Sequence, residues 1–294
     1  MTGPWSAPHL GAVSGVARPV SEPPPKTYVF GHAPQEMARL EAQARIIDPI
    51  TRRFFVAAGI APGMRVLDCG SGAGDVAFLA ADLVGETGAV VGADRSAAAL
   101  TTARRRAEGR RLGNVSFVEG DPAGLAFDQP FDAVLGRYVL EFQPDPAAML
   151  RGVAAHVKPG GIVVFHELDC GTASSYPPSP THDRVWRWWM QLLAHNTADP
   201  RIGLHLYETF VRAGLSKPSL RQESIVVGGS MAAEYLRVGV ADLMMSVGED
   251  MERFCIATIE EIDYPTLADR MIAEVIANNS VIIGRAEVGA WVRV

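Results

Sequence analysis

The sequence predicts an α/β protein built on a doubly wound, mostly parallel sheet, with helical insertions over one edge. Three observations point there. Short continuous apolar runs alternate with segments of helical periodicity, as in sheets covered on both faces. The first three runs close on acids: Asp68, Asp94 and, after Glu119-Gly120, Asp121. Glycine-containing turns separate run from helix. The 294 residues, 48% of them hydrophobic, suffice for one large domain or two small ones.

The stretch Val66-Leu67-Asp68-Cys69-Gly70-Ser71-Gly72-Ala73-Gly74-Asp75 organises the rest. It reads as strand, tight turn and helix, since Val76, Leu79, Ala80 and Leu83 follow at helical spacing. Glycines let such a turn take positive φ and bring backbone close to a ligand. The free N–H groups of the helix start favour an acceptor. Alone, a bare G-x-G-x-G is equally a ligand-free turn.

Composition narrows the function classes. The formal net charge of −6 and pI near 5.7 argue against a nucleic-acid partner, which calls for clustered Lys and Arg. Arg104-Arg105-Arg106 with Arg110-Arg111 reads as a solvated helix face. Cys69, Cys170 and Cys255 form no C-x-x-C pair, so neither a disulfide framework nor a zinc site is expected, and a reducing cytoplasm suits the usage. No His/Asp spacing suggests another metal. No signal peptide is read, and no apolar run reaches membrane-spanning length.

In order, residues 1–26 are rich in Pro, Gly, Ala and Ser and read as a flexible tail. Two N-terminal helices, from about Gln35 and over 49–58, are expected within 27–58 as a cover over the site. Strands are expected over 64–68, 89–94, 115–118, 131–135 and 162–165. Ser96 is the expected N-cap of the helix after the second. A helix over 145–157 leads to a Lys158-Pro159-Gly160-Gly161 turn. The main unit spans 59–294, with cap insertions at about 172–200 and 230–283. The first carries Trp186, Trp188 and Trp189; core packing is the plain reading of that cluster, an aromatic acceptor pocket the sharper one. A strand is expected over 219–227 and a last one over 287–294.

The glycine pattern bears on the ligand. A third glycine of G-x-G-x-x-G would fall on Asp75, an acid ill-suited to a pyrophosphate. Asp94, 20 residues past Gly74, can accept both hydroxyls of a ribose. Asp121 can accept from an adenine amino group. An acidic pocket suits the cationic sulfonium of S-adenosylmethionine better than a dinucleotide.

With Phe131-Asp132-Ala133-Val134 and Val157-Lys158-Pro159-Gly160-Gly161, these motifs over about 60–166 resemble the successive motifs of class I S-adenosylmethionine-dependent methyltransferases. The resemblance implies a Rossmann-like seven-stranded sheet with an antiparallel last strand, and methyl transfer to a small-molecule acceptor in specialised metabolism. It places Gly70, Ser71 and Gly72 at the methionine end of the cofactor and Asp94 on the ribose. Arg95 falls beside the adenine, Gly120-Asp121 and Pro122 at its amino group, and Gly136-Arg137 beneath the cofactor. Tyr28 is carried over to the methionine carboxylate, with Gln43 and Arg45 as further candidates for that end. Methyl transfer needs a base only when the acceptor must lose a proton early. His166 and Glu167, after the fifth strand, are the candidate pair. His182, His195 and His205 read as surface or satisfied histidines. A homodimer is the candidate assembly. The alternatives are a same-fold enzyme that uses S-adenosylmethionine for a step such as cyclisation, and an NAD-linked oxidoreductase.

Overall fold

The computed structural model describes residues 34–195 and 199–294, the side chains of residues 34–41 and 43 apart. The tail, Tyr28 and the side chain of Gln43 lie outside the described residues.

Helix α1 (Pro34–Ala58) precedes β1 (Arg65–Cys69), α2 (Asp75–Val84), β2 (Ala89–Asp94), α3 (Ala97–Gly109), β3 (Val115–Glu119) and β4 (Phe131–Arg137). There follow α4 (Pro146–Ala154), β5 (Val157–Asp169), β6 (Ser174–Tyr176), α5 (Pro180–His195), α6 (Ile202–Arg212) and β7 (Ser219–Gly228). Then α7 (Ala232–Glu234) passes through π-helical Tyr235–Ala241 into α8 (Asp242–Arg253), before α9 (Ile259–Ile262), α10 (Tyr264–Ala277) and β8 (Val281–Arg293). The strand order is β3-β2-β1-β4-β5-β8-β6, with β7 also on β8. Strands β1 to β5 pair in parallel, and β8 runs antiparallel to β5, β6 and β7. The expected doubly wound sheet is therefore present, with the three-residue β6 as an eighth strand.

Four boundaries differ from expectation for physical reasons. The two expected N-terminal helices are one, with Pro49 inside it. Ile47, Ile50, Phe54 and Phe55 carry a buried face through the proline, and this packing outweighs one missing ladder bond. Strand β5 runs on to Asp169 because the polar His166-Glu167-Leu168-Asp169 pairs with residues 286–289 of β8. Hydropathy does not see a buried polar strand. The Lys158–Gly161 turn is a bulge between Val157, paired with Phe131, and Ile162, paired with Ala133. Strand β8 begins six residues earlier than expected, at the alternating run Val281-Ile282-Ile283, of which only Ile282 is buried.

Side chains of α4 and α6, such as Leu150 and Phe210, cover one sheet face, and Phe55 of α1 with Ala77 of α2 cover the other. A third apolar core joins α5, α7, α8 and α10 to Leu168, Cys170 and Ile282, at the carboxyl end of β5 and the start of β8. Trp186 and Trp189 belong to it, and the Trp186 indole donates to the Cys170 carbonyl at 2.7 Å. The plain reading of the tryptophan cluster is the one the packing supports. The arginine-rich segment is a solvated face at Arg104, Arg105, Arg110 and Arg111, as expected, with Arg106 the exception. Arg106 turns inward onto Asp75 and the Ala73 carbonyl, each at 2.7 Å, and Arg110 lies over the Phe78 ring.

Candidate functional site

The turn after β1 is held open by its glycines. Gly70 and Gly72 have φ of +70° and +50°, where L side chains are strained. A Cβ on Gly70 would stand 2.7 Å from Val139 Cγ2, whereas one on Gly72 would meet nothing within 4 Å. The turn thus packs tightly against the segment after β4 on one side and faces free space on the other. Its register is fixed by Gly70 and Ser71 N–H groups donating to the Ala93 carbonyl at the end of β2.

Asp94 joins this turn to the next. Its Oδ2 accepts from Gly72 N at 2.9 Å and its Oδ1 from Ser96 N at 2.8 Å. Each carboxylate oxygen keeps a lone pair for a further donor. Ser96 caps α3 through Ala99 N, as its sequence position suggests. Beyond β3, Asp121 accepts from Arg95 Nη2 at 2.6 Å and from Ala123 N at 3.1 Å. Gly120, at φ +147°, lets the chain turn there, and Pro122 is buried with its carbonyl 3.0 Å from His156 Nε2. Gly136 is the partner of both Cys69 and Phe165 in the sheet. Gly70, Ser71, Gly72, Asp94, Arg95, Asp121 and Gly136 are thereby brought to the carboxyl ends of adjacent strands, where such sheets bind ligands.

Asp68 was visible in the sequence as a strand-end acid but not as a site residue. Both its carboxyl oxygens and Ser71 Oγ are sealed without a well-formed hydrogen bond, the Ala77 N–H being the polar group that favours the Asp68 anion. Burial holds the Asp68 acid well above its usual range, against the pull of Arg137. A buried carboxyl without a partner is costly unless a donor or cation completes it.

Around His166 the site becomes a closed network. Its Nδ1 is 3.0 Å from Thr51 Oγ1 on α1, and its Nε2 3.0 Å from Glu287 Oε2 on β8. Glu287 also accepts from Tyr138 Oη at 2.7 Å and from Arg285 Nε at 3.0 Å. Arg137 Nη1 donates to Asp48 and to Thr51. Burial alone would raise Glu287, but the Arg285 charge and the His166 and Tyr138 hydrogen bonds bring its carboxyl below the usual range. An ionised Glu287 only accepts, so His166 Nε2 carries the proton, Nδ1 accepts, and Thr51 donates to it. Burial, opposed by the Glu287 hydrogen bond, holds His166 below its ordinary pKa, so the ring is neutral near pH 7.

Glu167 points the other way along the strand. Its Oε1 accepts from Val139 N at 3.0 Å and Leu140 N at 2.9 Å, while Oε2 has no partner. Burial pushes its acid up to about 8 despite these N–H groups, and burial with the Glu167 charge raises Glu141 well above its ordinary value. His166 and Glu167 thus lie inside β5, both fully buried, rather than beyond its end. Thr51, Tyr138, Glu141, Arg285 and Glu287 join them without having been singled out in the sequence. Arg285 and Glu287, two apart on one strand face, were the signal available. Arg45 is exposed on α1. His182 meets Asp183, His195 stacks on Phe254, and His205 meets Asp199.

Asp75, read as an acid that would repel a pyrophosphate, is ion-paired with Arg106 and so discriminates less than its sequence position suggests.

A family model described as a methyltransferase domain matches residues 60–214. Over 103 residues the chain is 44% identical to the 2-phytyl-1,4-naphtoquinone methyltransferase of Synechococcus elongatus, covering 34% of this chain and 43% of that one. Over 136 residues it is 35% identical to an aklanonic acid methyltransferase of a Streptomyces species, covering 45% and 62%. These matches span less than two-thirds of the relatives' own length. The solved structure of the YcgJ protein of Bacillus subtilis is similar in fold, with a TM-score of 0.52 at 16% identity over 85% of this chain and 99% of that chain.

Proposed function

Since the chain belongs to the methyltransferase-domain family, we propose that it transfers a methyl group from S-adenosylmethionine to a small organic acceptor. The observation that carries this reading is the convergence of Asp68, the open Gly70–Gly72 turn, Asp94 and Asp121 on adjacent strand ends. The set suits a ligand that presents a pair of hydroxyls to Asp94 and an aromatic amine to Asp121 beside the open turn. S-adenosylmethionine would supply a methyl group already activated on a cationic sulfur.

In this reading Ser71 and Gly72 line the methionine end above the sealed Asp68, and the remaining lone pairs of Asp94 accept the ribose hydroxyls. Asp121 takes the adenine amino group, with Arg95 and Pro122 beside the ring and Gly136-Arg137 beneath. Tyr28 belongs to the same reading through its sequence position. His166 and Glu167 serve by placement. His166 ties α1 to β8 through Thr51 and Glu287, and Glu167 holds the Val139–Leu140 turn against Gly70. Acceleration then comes from alignment of the acceptor with the methyl group and from exclusion of water.

The acceptor is inferred to be small and not a nucleic acid. The net charge is −6, and Arg106 and Arg110 of the arginine-rich helix are committed to Asp75 and Phe78. Among the described residues no helix is long and apolar enough to cross a membrane. A cytoplasmic setting is inferred from the three cysteines, none in a disulfide.

Calorimetric titration with S-adenosylhomocysteine tests the reading. Saturable binding is expected, weakened about tenfold or more in Asp94→Asn, which loses charge-assisted acceptance. Folded protein that gives no heat at millimolar ligand overturns it.

A further inference from the structure

Arg285 is a member of the buried network whose hydrogen bonding is incomplete. Its side chain is nine-tenths buried, at 10% exposure. Nε is taken by Glu287 and Nη2 by Tyr138 Oη at 3.0 Å. Nη1 makes no hydrogen bond among the described residues, and it is not sealed as the oxygens of Asp68 are. A guanidinium is permanently charged and carries donors in a fixed fork, which favours a planar anionic oxygen pair.

The surroundings point to the same occupant. Arg285 lies one residue beyond the last β5–β8 pair, where the sheet meets the cap core. Tyr138 is packed against that core, and the guanidinium sits 5.1 Å from its ring centre. Tyr138 has φ of +57°, an uncommon conformation for a bulky residue, and such strain collects at functional sites. The Tyr138 hydroxyl is locked between Arg285 and Glu287, so its ring is a fixed wall. A π-helical stretch, another feature frequent at such sites, places Tyr235 against Gly284 next door. Glu287 pairs with Arg285 through Oε1, while its Oε2 is shared by His166 and Tyr138, so the guanidinium is held in place with Nη1 left over.

We propose that Arg285, through Nη1, binds a carboxylate of the methyl acceptor, whose apolar body rests on Tyr138 and the cap core. The acceptor class is thus an organic acid on an aliphatic or aromatic frame. This inference rests on the methyltransferase reading above. Arg285 acts in recognition: it holds the acid group and so fixes the direction from which the acceptor's nucleophile meets the methyl group.

Cinnamate and its neutral counterpart cinnamamide are the probes, titrated into the protein saturated with S-adenosylhomocysteine. The wild-type protein is expected to bind cinnamate about tenfold or more tightly than cinnamamide. Arg285→Gln should abolish that preference and Arg285→Lys should keep part of it. Because Arg285→Gln leaves Glu287 with less compensation, the neutral pair Arg285→Gln with Glu287→Gln is measured beside it, and it too should lack the preference. Equal binding of the two probes by wild-type protein, absence of cinnamate binding, or a preference that survives in Arg285→Gln or the double variant overturns the proposal. Loss of S-adenosylhomocysteine binding in the wild-type protein would sink the methyltransferase reading itself. Retained binding without a carboxylate preference would sink only the role of Arg285.

Discussion

Thr51 has one hydroxyl proton and two acceptors in reach, His166 Nδ1 at 3.0 Å and its own helix's Ile47 carbonyl at 3.3 Å. If His166 takes a second proton on Nδ1, Thr51 can turn to Ile47 and accept instead, so the network tolerates either charge on the ring. Glu167 gives a clearer test. Its folded pKa, raised by burial to about 8 from 4.5, means the folded state holds the proton more tightly than the unfolded chain. That stabilisation is fully present below 4.5 and is lost as pH rises through about 8. Glu167→Gln, which keeps an acceptor for Val139 and Leu140, lacks this titration. Urea unfolding near pH 4.5 and near pH 8 should show the variant gaining on the wild type by on the order of a few kcal/mol at the higher pH. A constant difference would mean that Glu167 is ionised in the fold. At this scale the sequence discloses Asp68, Asp94 and Asp121, because each closes an apolar run. It hides the partners of His166: Thr51 is 115 residues away and Glu287 is 121.

Elements were legible where periodicity was unbroken and misread where a single residue type dominated the pattern. Proline at position 49 suggested two helices, yet α1 is continuous because its buried face, not its propensity, decides. Pro49 is exposed and denies the Arg45 carbonyl its partner. Pro49→Ala should therefore stabilise the protein by about 1–3 kcal/mol, less the entropy returned to the unfolded chain. A lower thermal midpoint in the variant would mean that the proline relieves strain. Strand β5 carries the opposite lesson. Three of its last four residues are polar, but each of the four is paired with β8, and burial of His166, Glu167 and Asp169 is made tolerable by partners on three other segments.

For the whole molecule, the apolar interior divides into two clusters flanking the sheet and one beneath the cap. The helical character of the cap could be read from sequence, whereas its seat could not, because it depends on α5, α8 and α10 meeting across long separations. Leu192 is fully buried in that third cluster. Leu192→Ala should cost about 2–5 kcal/mol locally, with amide exchange rising in α5, α8 and α10 while β1 to β4 keep their protection. Equal loss of protection in the central strands would show the cap and sheet to be one cooperative unit.

Of the five tryptophans, Trp186, Trp188 and Trp189 stand on α5, Trp291 on β8 and Trp5 outside the described residues. Three of the chromophores are thus concentrated in the cap, and the Trp186 indole is tethered to the carbonyl just past β5. Ultraviolet emission from this protein is therefore a gauge of the cap far more than of the sheet. A spectroscopist following that light would watch three reporters loosen with the cap and one, Trp291, with the sheet.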